Sequence, residues 1–139
     1  LRLSGNKITD LGAALIERNA TWKGLQVLEL ADNQIGDKGA TAVGSNINWD
    51  LHKLDLSGNK KISDDSVAVI ANNVIWANLQ ELNLEKNAIT DKGAVALGEN
   101  TIWTELRKLN LNENQIGDEG ACAIAANTTW TQLQELGLG

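Results

Sequence analysis

Apolar residues in this chain switch between two periods, and the switch recurs about every 27 residues. Leu25, Leu28 and Leu30 followed by Asn33 read L-x-x-L-x-L-x-x-N. The spacing returns at Leu51, Leu54, Leu56 and Asn59, at Leu79, Leu82, Leu84 and Asn87, and at Leu106, Leu109, Leu111 and Asn114. The L-x-L core alternates with period two, so Leu28 and Leu30 point one way while Val27, Glu29 and Ala31 point the other. One short strand per unit follows. After each Asn comes I-x-D-x-G or a close variant, and then apolar residues at helical spacing, such as Ala94, Leu97 and the flanking Ala96, or Ala121, Ile124 and Ala123. Asp10, Asp37, Asp64, Asp91 and Asp118 stand where these helices begin and are expected to cap them. Asn19, Asn46, Asn73, Asn100 and Asn127 follow the helices, where Asn tolerates the left-handed conformation that closes a helix. Three residues after each of these Asn stands a tryptophan. Trp22, Trp49, Trp76, Trp103 and Trp130 are separated by 27 residues throughout and are the only aromatic side chains.

A fixed period of this length means a stacked array of small units. The recurring leucine and Asn pattern, followed by I-x-D-x-G, resembles the leucine-rich repeat family, in its ribonuclease-inhibitor-like subclass, over essentially the whole chain. The resemblance implies an α/β fold, a right-handed solenoid with parallel strands on the concave face and helices on the convex face. Six strands and five helices are expected. The chain reads as one repeat domain, 1–139, with partial units 1–24 and 133–139 and full units 25–50, 51–78, 79–105 and 106–132. The strand-end Asn is expected to turn its amide into the stack and satisfy backbone groups there. The family usually places an aliphatic residue where the Trp stand, so these are expected to form a core ladder instead of an exposed sugar-stacking stripe. The third unit departs from the pattern. It reads Asn59-Lys60-Lys61-Ile62, with one residue extra, and Ser66 replaces the helix Gly. The chain starts inside a strand pattern, Leu1-Arg2-Leu3, and stops inside one, Leu136-Gly137-Leu138, with no capping segment. A slice of a longer protein, able to self-associate through its uncapped ends, is the expectation.

Twelve basic against 18 acidic residues give a net charge of −6, which disfavours nucleic acid and anionic membranes as partners. No apolar run reaches membrane-spanning length. The single Cys122 excludes an internal disulfide framework and points to a cytoplasmic location, with a secreted effector as the alternative. Two N-x-T sequons, at Asn19 and Asn127, coincide with the Asn ladder and are read as structural. His52 occupies a variable strand position with no second ligand in view, and Cys122 lies on a helix without a neighbouring base. Asn110, Asn112 and Asn114 imitate the start of a calcium loop but lack its turn Gly. No catalytic, cofactor-binding or metal-binding residue is assigned.

What remains is the outward strand face. Glu29, Lys53, Asp55, Glu81, Asn83, Glu85, Lys108, Asn110 and Asn112 are the candidate protein-binding residues. They change between units while the scaffold stays fixed. With Arg2, Asp32, Lys86, Glu113 and Glu135 the face carries four basic and seven acidic groups, which favours a modestly basic protein partner. It offers none of the usual aromatic anchors, so binding is expected to be polar. The resemblance implies a non-enzymatic protein–protein interaction scaffold. The alternatives are a GTPase-activating, immune-sensor or effector region of a larger protein, or an architectural spacer. Ribonuclease inhibition is disfavoured, because strand-face aromatics and a Cys-rich composition are missing.

Overall fold

A computed structural model describes residues 1–139. Helices and strands alternate as α1 (Asp10–Glu17), β1 (Val27–Glu29), α2 (Asp37–Gly44), β2 (Lys53–Asp55), α3 (Asp64–Ala71), β3 (Glu81–Asn83), α4 (Asp91–Gly98), β4 (Lys108–Asn110), α5 (Asp118–Ala125) and β5 (Glu135–Gly137). The strands form one parallel sheet in sequence order, with Leu28, Leu54, Leu82, Leu109 and Leu136 in register across it. Each helix packs on its sequence neighbours, as each strand does. The result is an α/β solenoid. Five strands form where six were expected. Leu1–Leu3 makes only the bridge Arg2↔Glu29, although Leu3 N–H donates to Glu29 O at 2.8 Å and Glu29 N–H to Leu1 O at 2.9 Å. That segment has a sheet neighbour on one side only.

The expected stripe of leucines is the core. The inward leucines of β1 to β4, with Ile35, Ile62 and Ile89, belong to a single cluster of 27 buried residues. Trp49, Trp76 and Trp103 are fully buried and Trp130 is 6% exposed, so these four form a core ladder. Trp22, in the first of the units described, is 40% exposed. The indole N–H groups of the four buried Trp meet no acceptor. An unpaired buried donor costs about 1–3 kcal/mol. Burying an indole of roughly 200 Å² returns about 5 kcal/mol as an upper estimate, so area wins over the lost hydrogen bond.

Three sets of polar side chains tie one unit to the next. Asn33 Nδ2 donates to Leu30 O of its own unit and Leu3 O of the preceding one, both at 3.0 Å. Asn59 does the same with Leu56 O and Leu30 O, and Asn114 with Leu111 O and Leu84 O. The residue before each of these Asn is left-handed, as at Asp32 (φ 51°), Gly58 (φ 70°), Lys86 (φ 56°) and Glu113 (φ 54°), which reverses the chain at the strand exit. The helix-end Asn, expected to be left-handed, are not. The closing residues Ser45 and Glu99 are right-handed at φ −87° and −81°, and no helix-end Asn has positive φ. These Asn work through the side chain instead. Asn73 Oδ1 accepts from Ile75 and Trp76 N–H, while its Nδ2 donates to Gly44 O and Asn46 O of the preceding unit. Asn46, Asn100 and Asn127 repeat the arrangement.

The aspartates also depart from expectation. Each is the first helical residue, and the carboxylates of Asp10, Asp37, Asp64 and Asp91 cap the helix of the following unit, not their own. Asp10 Oδ1 accepts from Gly36 N–H (2.7 Å) and Gly39 N–H (2.8 Å) at the start of α2. Asp64 takes Thr90 N–H, Thr90 Oγ1–H and Gly93 N–H, and Asp91 takes Gly117 and Gly120 N–H. This close approach explains the helix Gly. A Cβ on Gly39 would lie 2.8 Å from Asp10 Oδ1 and 2.9 Å from Asp10 Cα. The third unit keeps the lock by another route, for Ser66 Oγ donates to Asp37 Oδ1 at 2.7 Å. Burial raises the Asp37 carboxyl, but hydrogen bonds from Ser63 and Ser66 outweigh it and hold the group below the ordinary Asp range. Asp118, in the last helix described, accepts no hydrogen bond.

Two outcomes follow. Asp64→Ala should cost about 1–2 kcal/mol in denaturant unfolding, while Asp118→Ala should cost less than about 0.5 kcal/mol. Equal losses would mean that each Asp caps its own helix. Trp76→Ala should cost about 3–5 kcal/mol, and Trp22→Ala clearly less. Iodide quenching should reach one indole in five; ready access to all of them would contradict the core ladder.

Candidate protein-binding face

The period-two alternation that buries Leu28, Leu54, Leu82 and Leu109 turns their neighbours outward, and parallel register lines those neighbours up in rows. One row runs Val27, Lys53, Glu81, Lys108, Glu135, and the next runs Glu29, Asp55, Asn83, Asn110, Gly137. A groove of about 530 Å³ crosses β2 to β5, and Lys53, Asp55, Glu81, Asn83, Lys108, Asn110 and Asn112 all line it. Seven of the nine candidate residues therefore converge. Glu29 and Glu85 lie beside the groove and reach it through partners. Glu29 binds Lys53, and Glu85 accepts from Asn110 Nδ2 at 3.0 Å.

Register also pairs most of the charges. Lys53 Nζ sits 3.0 Å from Glu29 and 3.4 Å from Glu81, and Arg2 reaches Glu29 from the other side at 3.0 Å. Lys108 meets Glu135 at 2.9 Å, and Lys86 lies between Glu113 (3.2 Å) and Glu85 (3.7 Å). The Lys53 hydrogen bond, opposed by burial and helped by the charges of Lys53 and Arg2, holds the Glu29 carboxyl below the usual Glu range. Lys53 is pushed up by the same hydrogen bond against its burial, Lys86 by Glu113 and Lys108 by Glu135. The sequence count of seven acids and four bases overstates the free charge. Of the groove side chains, Asp55 alone carries a charge without an ion-pair partner. Its Oδ1 accepts from Ser57 N–H and Oγ–H, which leaves Oδ2 without a hydrogen-bond donor.

The half of the groove nearer β5 is built from carboxamides. Asn83 Oδ1 accepts from Glu85 N–H and Asn110 Oδ1 from Asn112 N–H, so each Asn is fixed by its own backbone with amide hydrogens to spare. Gly137 completes this half and was not among the candidates. A Cβ there would stand 2.7 Å from Asn112 Oδ1 and 2.8 Å from Asn110 Oδ1. Aligning the strand rows is the signal that finds it, since it is the one place in its row without a side chain. Elsewhere no three His, Cys, Asp or Glu side chains gather as metal ligands, His52 is half-buried, and Cys122 is free and exposed.

The Leucine Rich repeat family signature matches residues 1–16, 25–44, 50–71, 77–98 and 104–125, well over half of the chain. The chain belongs to the leucine-rich repeat family. Among solved structures this repeat protein is similar to leiomodin-1 actin-binding site 2, with a TM-score of 0.65 and 22% identity over 90% of this chain and 76% of that one. At that identity the likeness is one of fold. No curated protein matches at a significant level. No helix of this repeat protein is long and apolar enough to cross a membrane.

The ion pairs set a pH dependence. Glu29, depressed in the folded chain, adds stability that is present above its unfolded value near 4.5 and is lost as pH falls through the folded one. Lys53, raised, adds stability present below 10.5 that is lost in alkali. Lys53→Met should return Glu29 toward the usual carboxylate range in an NMR titration. The stability gap between variant and parent should narrow in acid as Glu29 takes up its proton. An unmoved Glu29 titration would show that the pair does not form in solution.

Proposed function

We propose that the chain is a non-enzymatic protein-interaction scaffold that binds through the strand face, with the groove over β2 to β5 as its centre. The observation that carries this reading is the contrast between two sets of positions. The Leu, Trp, Asn and Asp that hold the stack are repeated unit after unit, whereas the groove row reads Lys53, Glu81, Lys108, Glu135 and the next Asp55, Asn83, Asn110, Gly137. No folding requirement explains that variation, and a rigid surface with changeable side chains is how solenoids gain partners. Leiomodin-1 actin-binding site 2 has a similar fold and is named for a protein ligand, actin, which is in keeping with a protein partner here. Unpaired Asp55 and the spare Asn amides suit a polar partner surface bearing a basic group. Such binding should weaken as salt rises through the physiological range.

Two double variants test the face. Asp55→Lys with Asn83→Lys alters the groove, and Lys38→Glu with Lys92→Glu alters the exposed helix side. Both should retain native circular dichroism. A protein retained by the parent chain from native extract should be lost at least about tenfold by the groove variant, a loss of about 1.4 kcal/mol, and kept by the helix variant. The reverse pattern would move the site to the helices.

A further inference from the structure

At the strand exit each unit is clipped to the next by one recurring bond. The backbone N–H of Ile8, Ile35 and Ile89 donates to Asn33, Asn59 and Asn114 Oδ1 at 3.0, 3.0 and 3.1 Å. The fourth clip should run from Ile62 to Asn87, and it is missing: Asn87 Oδ1 is buried and receives no donor. The cause is in the sequence. Asn33-Gln34-Ile35 and Asn87-Ala88-Ile89 place one residue between Asn and Ile, whereas Asn59 and Ile62 have two. The added residue bulges, with Lys60 left-handed at φ 56° and Lys61 N–H folded back onto Asn59 O at 2.6 Å. A second feature marks the same joint. Parallel bridges Thr9↔Gln34, Gly36↔Lys61 and Thr90↔Gln115 join neighbouring units beyond the strands, and none joins the third unit to the fourth. Ala88 N–H still donates to Ile62 O at 2.9 Å, as Gln34 N–H does to Ile8 O, and Asp64 still holds Thr90 and Gly93, so what this joint lacks is the Asn clip and the bridge.

We propose that the joint between the third and fourth units is a built-in opening point, where the strand-exit edge of the solenoid separates before any other internal joint does. β2, with Lys53 and Asp55, lies on one side of it, and β3 to β5 lie on the other. Opening there changes the spacing of Asp55 from Asn83 and Asn110, so the groove has an adjustable edge at β2. The opening itself is a property of the free chain and holds whatever occupies the groove.

Amide hydrogen exchange on the whole chain, read by NMR under native conditions, tests this. Ile62 N–H should exchange about tenfold faster than Ile35 N–H and Ile89 N–H, which keep their Asn acceptors. Deleting Lys60 restores the one-residue spacing and should bring Ile62 to the protection of the other two. Lys60→Gly relieves the left-handed backbone without restoring the spacing, and should leave Ile62 fast. Equal protection of all three amides in the parent chain would overturn the proposal. So would full recovery of protection in Lys60→Gly, which would assign the effect to backbone strain and not to the missing clip.

Discussion

The structure depends on backbone groups being satisfied by side chains from the neighbouring unit. Strands of three residues and helices of eight leave most of each unit in loops, and those loops are packed against one another where water cannot serve them. Two Asn ladders and one Asp ladder supply the partners. Asn73 shows the economy of the arrangement, with one carboxamide closing its own loop onto Trp76 and reaching back to Gly44 and Asn46. The buried Trp rings and leucines add the apolar area, but they would pack in many registers. The directional Asn and Asp bonds select one.

That division of labour leaves the strand face free. Its side chains take no part in the ladders, so Lys, Glu, Asp and Asn can exchange there at little cost to the stack. The face is not a field of independent charges, however. Lys53 is shared by Glu29 and Glu81, and under the function proposed above the net attraction for a partner comes from what pairing leaves over. Asp55 and the spare Asn83, Asn110 and Asn112 amides are those remainders. A partner that breaks the Lys53 pairs must replace them, which favours one that reaches the Asn half of the groove.

The third unit shows how a single residue acts in such a stack. Ser66 substitutes for Gly and is absorbed, because its hydroxyl supplies the donor that Asp37 needs. The extra lysine is not absorbed. It displaces Ile62 from Asn87, and a buried carboxamide oxygen is left alone. The difference is directional: a side chain can rotate to meet an acceptor, whereas a backbone N–H goes where the chain takes it.

Much of this was legible in the residues. The fold class, the parallel strand order, the Trp core and the inward Asn follow from spacing, since a 27-residue period brings like positions together and apolar ones inward. Seven of nine candidate residues line one groove for the same reason, as alternation assigns a face before register is known. Other features needed the third dimension. An Asp at a helix start reads identically whether it caps its own helix or the next one, and only the offset between stacked units decided for the next. The helix-end Asn could close a helix by backbone or by side chain, and the Ile75 and Trp76 N–H groups that turn onto Asn73 Oδ1 chose the side chain. The pairing of Lys53 with two carboxylates, and the need for Gly137 beneath Asn110 and Asn112, arise between residues about 27 apart in sequence. Periodicity carries what each unit does for itself. The distances between units, which set every ladder bond and ion pair, exist only once the units are stacked.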